Sequence, residues 1–217
     1  MMRAADIRRD RPNTWLWTGL SFATALVIAV AILIKDGHYY DGTVAALRAS
    51  ARFSFLLFWG AYAGSLLRKL PFEPARWLSR RSRQCGLSFA AAHSVHLGLI
   101  LWLFHVSPKQ PVSDFIIIQD GIGFGFMYLL VIFSFEFARK QLSPPVWRAV
   151  FNIGLEYIAY VFATDFILQH LHGKEEFTLL YWPFTLMLVG TAALRWSSGA
   201  WWLLTRVWDA GHSPGAA

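Results

Sequence analysis

The sequence predicts an all-α integral membrane protein, built as a six-helix bundle with both ends of the chain on the cytoplasmic side. Two observations predict this class. Hydrophobic residues make up 56% of the 217 positions and charged residues only 15%, and the charges are clustered between long apolar runs. One transmembrane helix needs about 20 residues, so the chain has room for a single bundle with short loops. We therefore expect one transmembrane domain over residues 1–217.

Six apolar segments follow one another along the chain. The first, residues 14–34, is uncharged and too long for the core of a typical signal peptide, so we interpret it as a retained helix. The second contains Arg48 and Arg52, which indicates that its outer end is partly interfacial. Residues 198–207 are too few to cross and predict an amphipathic tail in the membrane interface. The predicted spans are residues 14–34, 45–67, 86–104, 115–137, 149–169 and 177–194.

The basic residues predict the orientation of the bundle. Of the 20 lysines and arginines, 15 lie before the first span, in the second and fourth connections, or after the last span. Cytoplasmic loops carry such an excess, so both termini are predicted inside, in a bacterial-type inner (plasma) membrane. The net charge of +7 is then explained by helix ends that meet anionic lipid headgroups. The expected environment is the lipid bilayer, and nucleic acid is not an expected partner.

The third span contains the histidines that are the best candidates for chemistry. Ionisable groups inside a bilayer are costly, so each is a candidate functional residue. His93 and His96 are three residues apart and therefore lie on one face of a helix. A neutral imidazole is a natural axial ligand for haem, and the small residues around them would let a flat porphyrin approach the backbone. The alternative is a buried histidine that is hydrogen-bonded to a neighbouring helix and needs no cofactor.

Carboxylates in the apolar spans are the candidate partners of the arginines in the second span and of the histidines in the third. Glu156 in the fifth span lies at about the same predicted depth as His93, and we expect the two to form a buried pair. Asp120 in the fourth span is expected to pair with Arg48 or Arg52 as a structural tie between helices. A weaker candidate is the loop QHLHGKEE (residues 169–176), whose histidines and glutamates could bind a metal. The single cysteine excludes an internal disulfide and a thiolate metal cluster.

Three motifs resemble the ferric reductase-like transmembrane domain family. LRASARFSFLLFWGAYAGSLLRKL (residues 47–70) resembles its second helix and the basic turn that follows. RRSRQCGL (residues 80–87) is similar to the Arg-rich lead into its third helix, and FSFEFARKQLSPPVW (residues 133–147) resembles the exit from its fourth helix. The likeness covers spans two to five. It is greatest to the small bacterial members that serve as the haem-bearing membrane subunit of a periplasmic methionine sulfoxide reductase system.

This resemblance implies a membrane oxidoreductase subunit that takes part in transmembrane electron transfer. It implies b-type haem (heme b) as the cofactor, and separate redox proteins or a quinone as partners. His96, ten residues after Gly86, stands at the position of the family's third-helix haem histidine, and His93 is its neighbour. The resemblance therefore implies haem binding at these two histidines.

The fifth span departs from the family pattern. Its two histidines are replaced here by Phe151 or Asn152 and, further along, by Thr164 or Asp165. The two histidines of the third span cannot both bind one iron axially, because neighbours on one helix face cannot reach opposite sides of a porphyrin. Two outcomes are open: haem contacted by these histidines or held by His96 with a residue of another chain, or a haem-free scaffold or accessory subunit of a larger membrane complex. A small transporter, in which the buried carboxylates and the histidines form a proton or substrate path, is a third hypothesis.

Overall fold

The computed structural model describes residues 13–68, 70–172 and 180–197, and all regular structure within these ranges is α-helical. The predicted all-α class is thereby confirmed for this part of the chain. The predicted interfacial tail, residues 198–207, and the side chains of the predicted metal loop, residues 169–176, lie outside the described residues. The helices are α1 (Thr14–Asp36), α2 (Tyr40–Tyr62), α3 (Gly64–Leu67), α4 (Glu73–Arg80), α5 (Ser82–Val106), α6 (Asp114–Phe133), α7 (Glu136–Arg139), α8 (Pro144–His172) and α9 (residues 180–197).

Four of these helices are long and apolar enough to cross a membrane: α1, α5, α6 and the Pro144–Ile167 part of α8. The chain is therefore a membrane protein by length and composition of its helices. The other two predicted spans correspond to α2 and α9. Both are helical, but they are not among the helices that are long and apolar enough to cross. In α2 the charged residues Asp41, Arg48 and Arg52 lower the average hydropathy. The six-span count remains a prediction.

Several helix ends differ from the predicted boundaries. The second predicted span, 45–67, is divided into α2 and the short α3. The fourth, 115–137, ends early because α6 stops at Phe133 and Phe135 adopts an extended conformation before α7 begins. The fifth begins earlier than residue 149, at Pro144, since proline is well accommodated in the first turn of a helix, where its missing N–H is not needed.

The described backbone separates into two compact units, which divide between Phe162 and Ala163. In the first unit α1, α2 and α5 pack together around a core of small side chains. Small residues at such contacts let helix backbones approach closely, which favours helix association in membranes. The most deeply buried members of this core are Ala25, Ala29, Ala46 and Ala92.

Helices α6 and α8 also approach closely within the first unit. A Cβ atom added at Gly154 would lie 3.1 Å from the side chain of Leu130, and one at Gly123 would lie 3.3 Å from Val161. The Tyr157 hydroxyl of α8 donates a hydrogen bond to a backbone carbonyl of α6, at 3.2 Å. In the second unit, the rings of Phe166, Tyr181 and Phe184 pack together. The prediction of one domain over residues 1–217 stays a prediction.

A glycine pair closes the turn between α1 and α2. Gly37 has a φ of 92°, which favours glycine over residues with a side chain. Gly42, in the first turn of α2, packs so tightly against the carbonyl of Gly37 that an added Cβ would overlap it. This turn allows α2 to pack directly against α1 and beside α5.

Candidate functional site

The two histidines of α5 form a stacked pair in the first unit. The ring centroids of His93 and His96 are 4.8 Å apart and the ring planes differ by 9°. Both side chains are half-buried. The prediction that they share one helix face is confirmed, because residues three apart on a helix are neighbours.

The orientation of His96 is fixed by a serine of α2. Ser50 Oγ lies 2.9 Å from His96 Nδ1, and the same hydroxyl donates to the carbonyl of Leu47 at 3.0 Å. A hydroxyl has one hydrogen to donate, so this arrangement assigns Nδ1 as the protonated nitrogen that donates to Ser50. The Nε2 atom of His96 then carries the lone pair. Ser50 is fully buried, and the hydrogen bond ties α2 to α5.

The ring of His93 lies in an aromatic cluster. It stacks on Phe124 of α6 with a centroid distance of 4.9 Å, and it contacts Phe89 at 5.0 Å and Phe162 of α8 at 5.7 Å. Its Nδ1 atom is buried and has no hydrogen-bond partner within the described ranges. Phe124 and His96 both stack nearly parallel to the ring, with centroids within 4.9 Å of its own.

Among the described residues, these surroundings do not fit a haem with two axial ligands. The residues that surround the histidine pair from neighbouring helices are Ser50, Phe124 and Phe162, and none of them is an axial ligand of iron. Phe151 stands where the family has the first histidine of its fifth helix. It lines an apolar cavity, and neither His93 nor His96 lines that cavity. Within the described part of the chain, His96 Nε2 is one possible imidazole ligand, and no second ligand lies beside it.

Glu156 has a different partner from the one predicted. The hydroxyl of Tyr62, a fully buried residue at the end of α2, donates to Glu156 Oε2 at 2.8 Å. The expected pair with His93 was wrong because the α8 residue beside His93 is Phe162, almost two helical turns further along. The carboxylate therefore connects α8 to α2 at the level of Tyr62.

The expected tie between Asp120 and an arginine of α2 was also wrong. Asp120 Oδ1 is buried and has no hydrogen-bond partner, and Asp120 takes part in none of the ion pairs in the described part of the chain. The helices explain this difference: α2 packs chiefly against α1 and α5, whereas α6, which carries Asp120, contacts α5 and α8.

A pair of adjoining cavities was not anticipated from the sequence. The first is lined by side chains of α2, α5, α6 and α8 and is mostly apolar, and the second is lined by basic residues of α5, α7 and α8. In the sequence, the basic residues near these cavities indicated the orientation of the bundle and formed part of the family resemblance, but they did not indicate a binding site. A cavity between helices depends on their packing, which apolar segments do not reveal by periodicity alone.

Comparison with known proteins adds no assignment to this geometry. No protein-family model matches the chain, and neither the curated proteins nor the solved structures contain a significant match to it.

Proposed function

We propose that this chain is a haem-free accessory subunit of a membrane complex, with a ferric reductase-like bundle that assembles with separate redox proteins. The observation that carries the proposal is the packing of His93. Its ring stacks on Phe124 and on His96 and contacts Phe89 and Phe162, so it serves as part of an aromatic core. A ligand position would instead require an open path from a ring nitrogen to a metal.

The contacts of His96 support the same role. Its Nδ1–H donates to Ser50, which makes the imidazole a cross-helix connection between α5 and α2. Hydrogen bonds of this kind contribute about 0.6 kcal/mol on average between helices in membranes. Packing and one hydrogen bond therefore explain why two histidines lie in this apolar helix.

The proposed topology places both termini in the cytoplasm of a bacterial-type plasma membrane. Its support is the distribution of lysine and arginine described above. In this arrangement the connections α2 to α5 and α6 to α8 face the cytoplasm, where they can meet a partner protein.

A second candidate function is electron transfer through haem held at His96. One observation favours it: the hydrogen bond to Ser50 fixes the tautomer and ring orientation, and leaves Nε2 unprotonated. The second axial ligand would then come from another chain. Under this candidate, His96→Ala abolishes a Soret band that the wild-type protein carries.

Replacement of His93 by phenylalanine tests the accessory-subunit proposal directly. His93→Phe keeps an aromatic ring among Phe89, Phe124 and Phe162 and removes a buried, unpartnered nitrogen. Because such an atom costs about 1–3 kcal/mol, we expect the variant to fold and to be at least as stable as the wild type. The measurement is unfolding in detergent, monitored by tryptophan fluorescence.

The matched control is His93→Ala, which removes the ring and leaves a cavity in the same aromatic cluster. We expect this variant to lose about 2–4 kcal/mol, in the range of large-to-small core substitutions. Loss of bound haem from purified His93→Phe, with the wild type loaded, would contradict the proposal and favour the electron-transfer candidate.

A further inference from the structure

An unassigned pair of cavities lies at the end of the first unit where α5 and α8 begin and α6 ends. The inner cavity has a volume of about 320 Å³, within the range of small-ligand sites. Side chains from four helices give it a wall that is suited to hydrocarbon. Its apolar lining includes Phe58, Leu87, Phe89, Met127, Leu130 and Ile158.

The outer cavity adjoins the inner one and has a volume of about 720 Å³. The two are contiguous because four residues line both. These shared residues are Arg83, Ser134, Arg139 and Trp147. A molecule could therefore occupy both, with one part among apolar side chains and another among polar ones.

Positive charge predominates around the outer cavity. Its lining contains one carboxylate, Glu136, which forms an ion pair with Lys140 at 2.8 Å. The cations of the lining are Arg83, Arg139, Lys140 and Arg148. A net positive lining beside an apolar cavity is complementary to an amphiphile with an anionic headgroup.

Two of these arginines are held at the junction of the cavities. Arg83 Nη2 donates to the carbonyl of Ser134 at 2.7 Å. The guanidinium of Arg139 lies 5.0 Å from the centroid of the Trp147 ring, and Trp147 Nε1 in turn donates to the carbonyl of Phe133 at 3.3 Å. A guanidinium presents five N–H donors in a planar fork that suits phosphate oxygens, so both arginines keep donors for an anion.

We propose that the two cavities bind one anionic glycerophospholipid from the surrounding membrane. An acyl chain occupies the apolar inner cavity, and the headgroup phosphate binds Arg83 and Arg139 at the junction. Inorganic phosphate shares the headgroup chemistry but leaves the inner cavity unused, and a neutral isoprenoid quinone leaves the cations unused. This inference goes beyond the proposed accessory role, and it holds whether or not the complex carries haem.

Native mass spectrometry of the full chain in detergent tests the proposal. The protein is titrated with phosphatidylglycerol, with phosphatidylcholine of the same acyl chains, and with inorganic phosphate as a competitor. We expect one phosphatidylglycerol to be retained, at least about tenfold more tightly than phosphatidylcholine, since each nearby cation contributes roughly 1 kcal/mol toward an anionic lipid. Inorganic phosphate should not displace it.

Substitutions locate the binding. The double variant Arg83→Gln and Arg139→Gln should weaken phosphatidylglycerol binding by about tenfold or more. Arg80→Gln is the matched control, because Arg80 is an exposed cation near Arg83 in sequence that lines neither cavity. Its effect should stay below about twofold, as expected for one solvent-screened surface charge.

Two further single variants decide the question if the double variant does not fold. Ala61→Met narrows the inner cavity without changing charge, and Arg139→Gln alone removes one of the two cations proposed to bind the phosphate. Both should weaken phosphatidylglycerol binding. Equal retention of the two lipids, displacement by inorganic phosphate, preferential retention of a neutral quinone, or unchanged affinity in the folded variants would overturn the proposal.

Discussion

Ser50 and Ser54 lie one turn apart on α2, are both fully buried, and differ in their hydrogen bonding. Ser50 Oγ is shared between His96 and the carbonyl of Leu47, whereas Ser54 Oγ has no hydrogen-bond partner among the described residues. The two positions therefore separate the contribution of an interhelical hydrogen bond from that of a buried hydroxyl as such.

A double-mutant cycle between Ser50→Ala and His96→Phe measures the link between α2 and α5. We expect a coupling free energy of about 0.6 kcal/mol and no more than about 1.7 kcal/mol, the range of such bonds in membrane proteins. Ser54→Ala, paired with His96→Phe, is the control and should give additive effects. Equal coupling for Ser50 and Ser54 would contradict the assigned hydrogen bond.

The residue contacts were predictable only where they are local in sequence. The shared face of His93 and His96 follows from helical spacing. Their partners across helices do not: Ser50 and Phe162 come from other helices, and the expected partner Glu156 binds Tyr62 instead. In a membrane span, the lipid-facing side is as apolar as the buried side, so periodicity does not fix how each helix is rotated.

At the scale of elements, the apolar segments located the helices well but not their ends. The third predicted span, 86–104, lies within α5, while the apolar run of the fourth continues past the end of α6. That end is local: the Ser134 hydroxyl donates to the carbonyl of Leu130 at 2.7 Å, and Phe135 then turns the chain into an extended conformation. Hydropathy averages across such a break and cannot resolve it.

The turn between α1 and α2 provides a test at this scale. Gly42→Ala should destabilise the protein by about 1–3 kcal/mol, because its Cβ would overlap the backbone of Gly37 and force the turn to move. The free energy of unfolding in mixed micelles is the quantity to compare.

Gly121→Ala is the matched control for that variant. Gly121 is an exposed residue of α6 with open space around a Cβ, so alanine should be neutral or stabilise by up to about 1 kcal/mol. If the two alanine variants had the same stability, the close approach of Gly42 to Gly37 would be refuted.

At the scale of the whole molecule, the topology depends on α2. If α2 crosses the bilayer, the connection that contains Lys109 and the one that contains Lys140 lie on opposite sides, with Lys140 in the cytoplasm. If α2 does not cross and the N-terminus is cytoplasmic, Lys109 lies in the cytoplasm and Lys140 lies on the opposite side of the membrane. The charged residues within α2 lower its hydropathy and so weaken the case for a crossing. The distribution of lysine and arginine among the connections favours one.

Cysteine labelling distinguishes the two topologies. In a Cys85→Ser background, which removes the only native thiol, Lys109→Cys and Lys140→Cys are treated with a membrane-impermeant maleimide. We expect Lys109→Cys to react in intact spheroplasts and Lys140→Cys to react only after permeabilisation. The reverse pattern would contradict the proposed topology, and with a cytoplasmic N-terminus it would show that α2 does not span the membrane.

One absorption spectrum separates the proposed packing role of the α5 histidines from haem ligation. The measurement is a reduced-minus-oxidised absorption spectrum, with pyridine haemochrome quantification, on detergent-purified full-length protein expressed with ample haem. We expect folded protein with far less than one haem per chain, and no change in its absorption spectrum in the His96→Ala variant. Near-stoichiometric haem b that disappears in His96→Ala would contradict the packing role and establish the electron-transfer candidate.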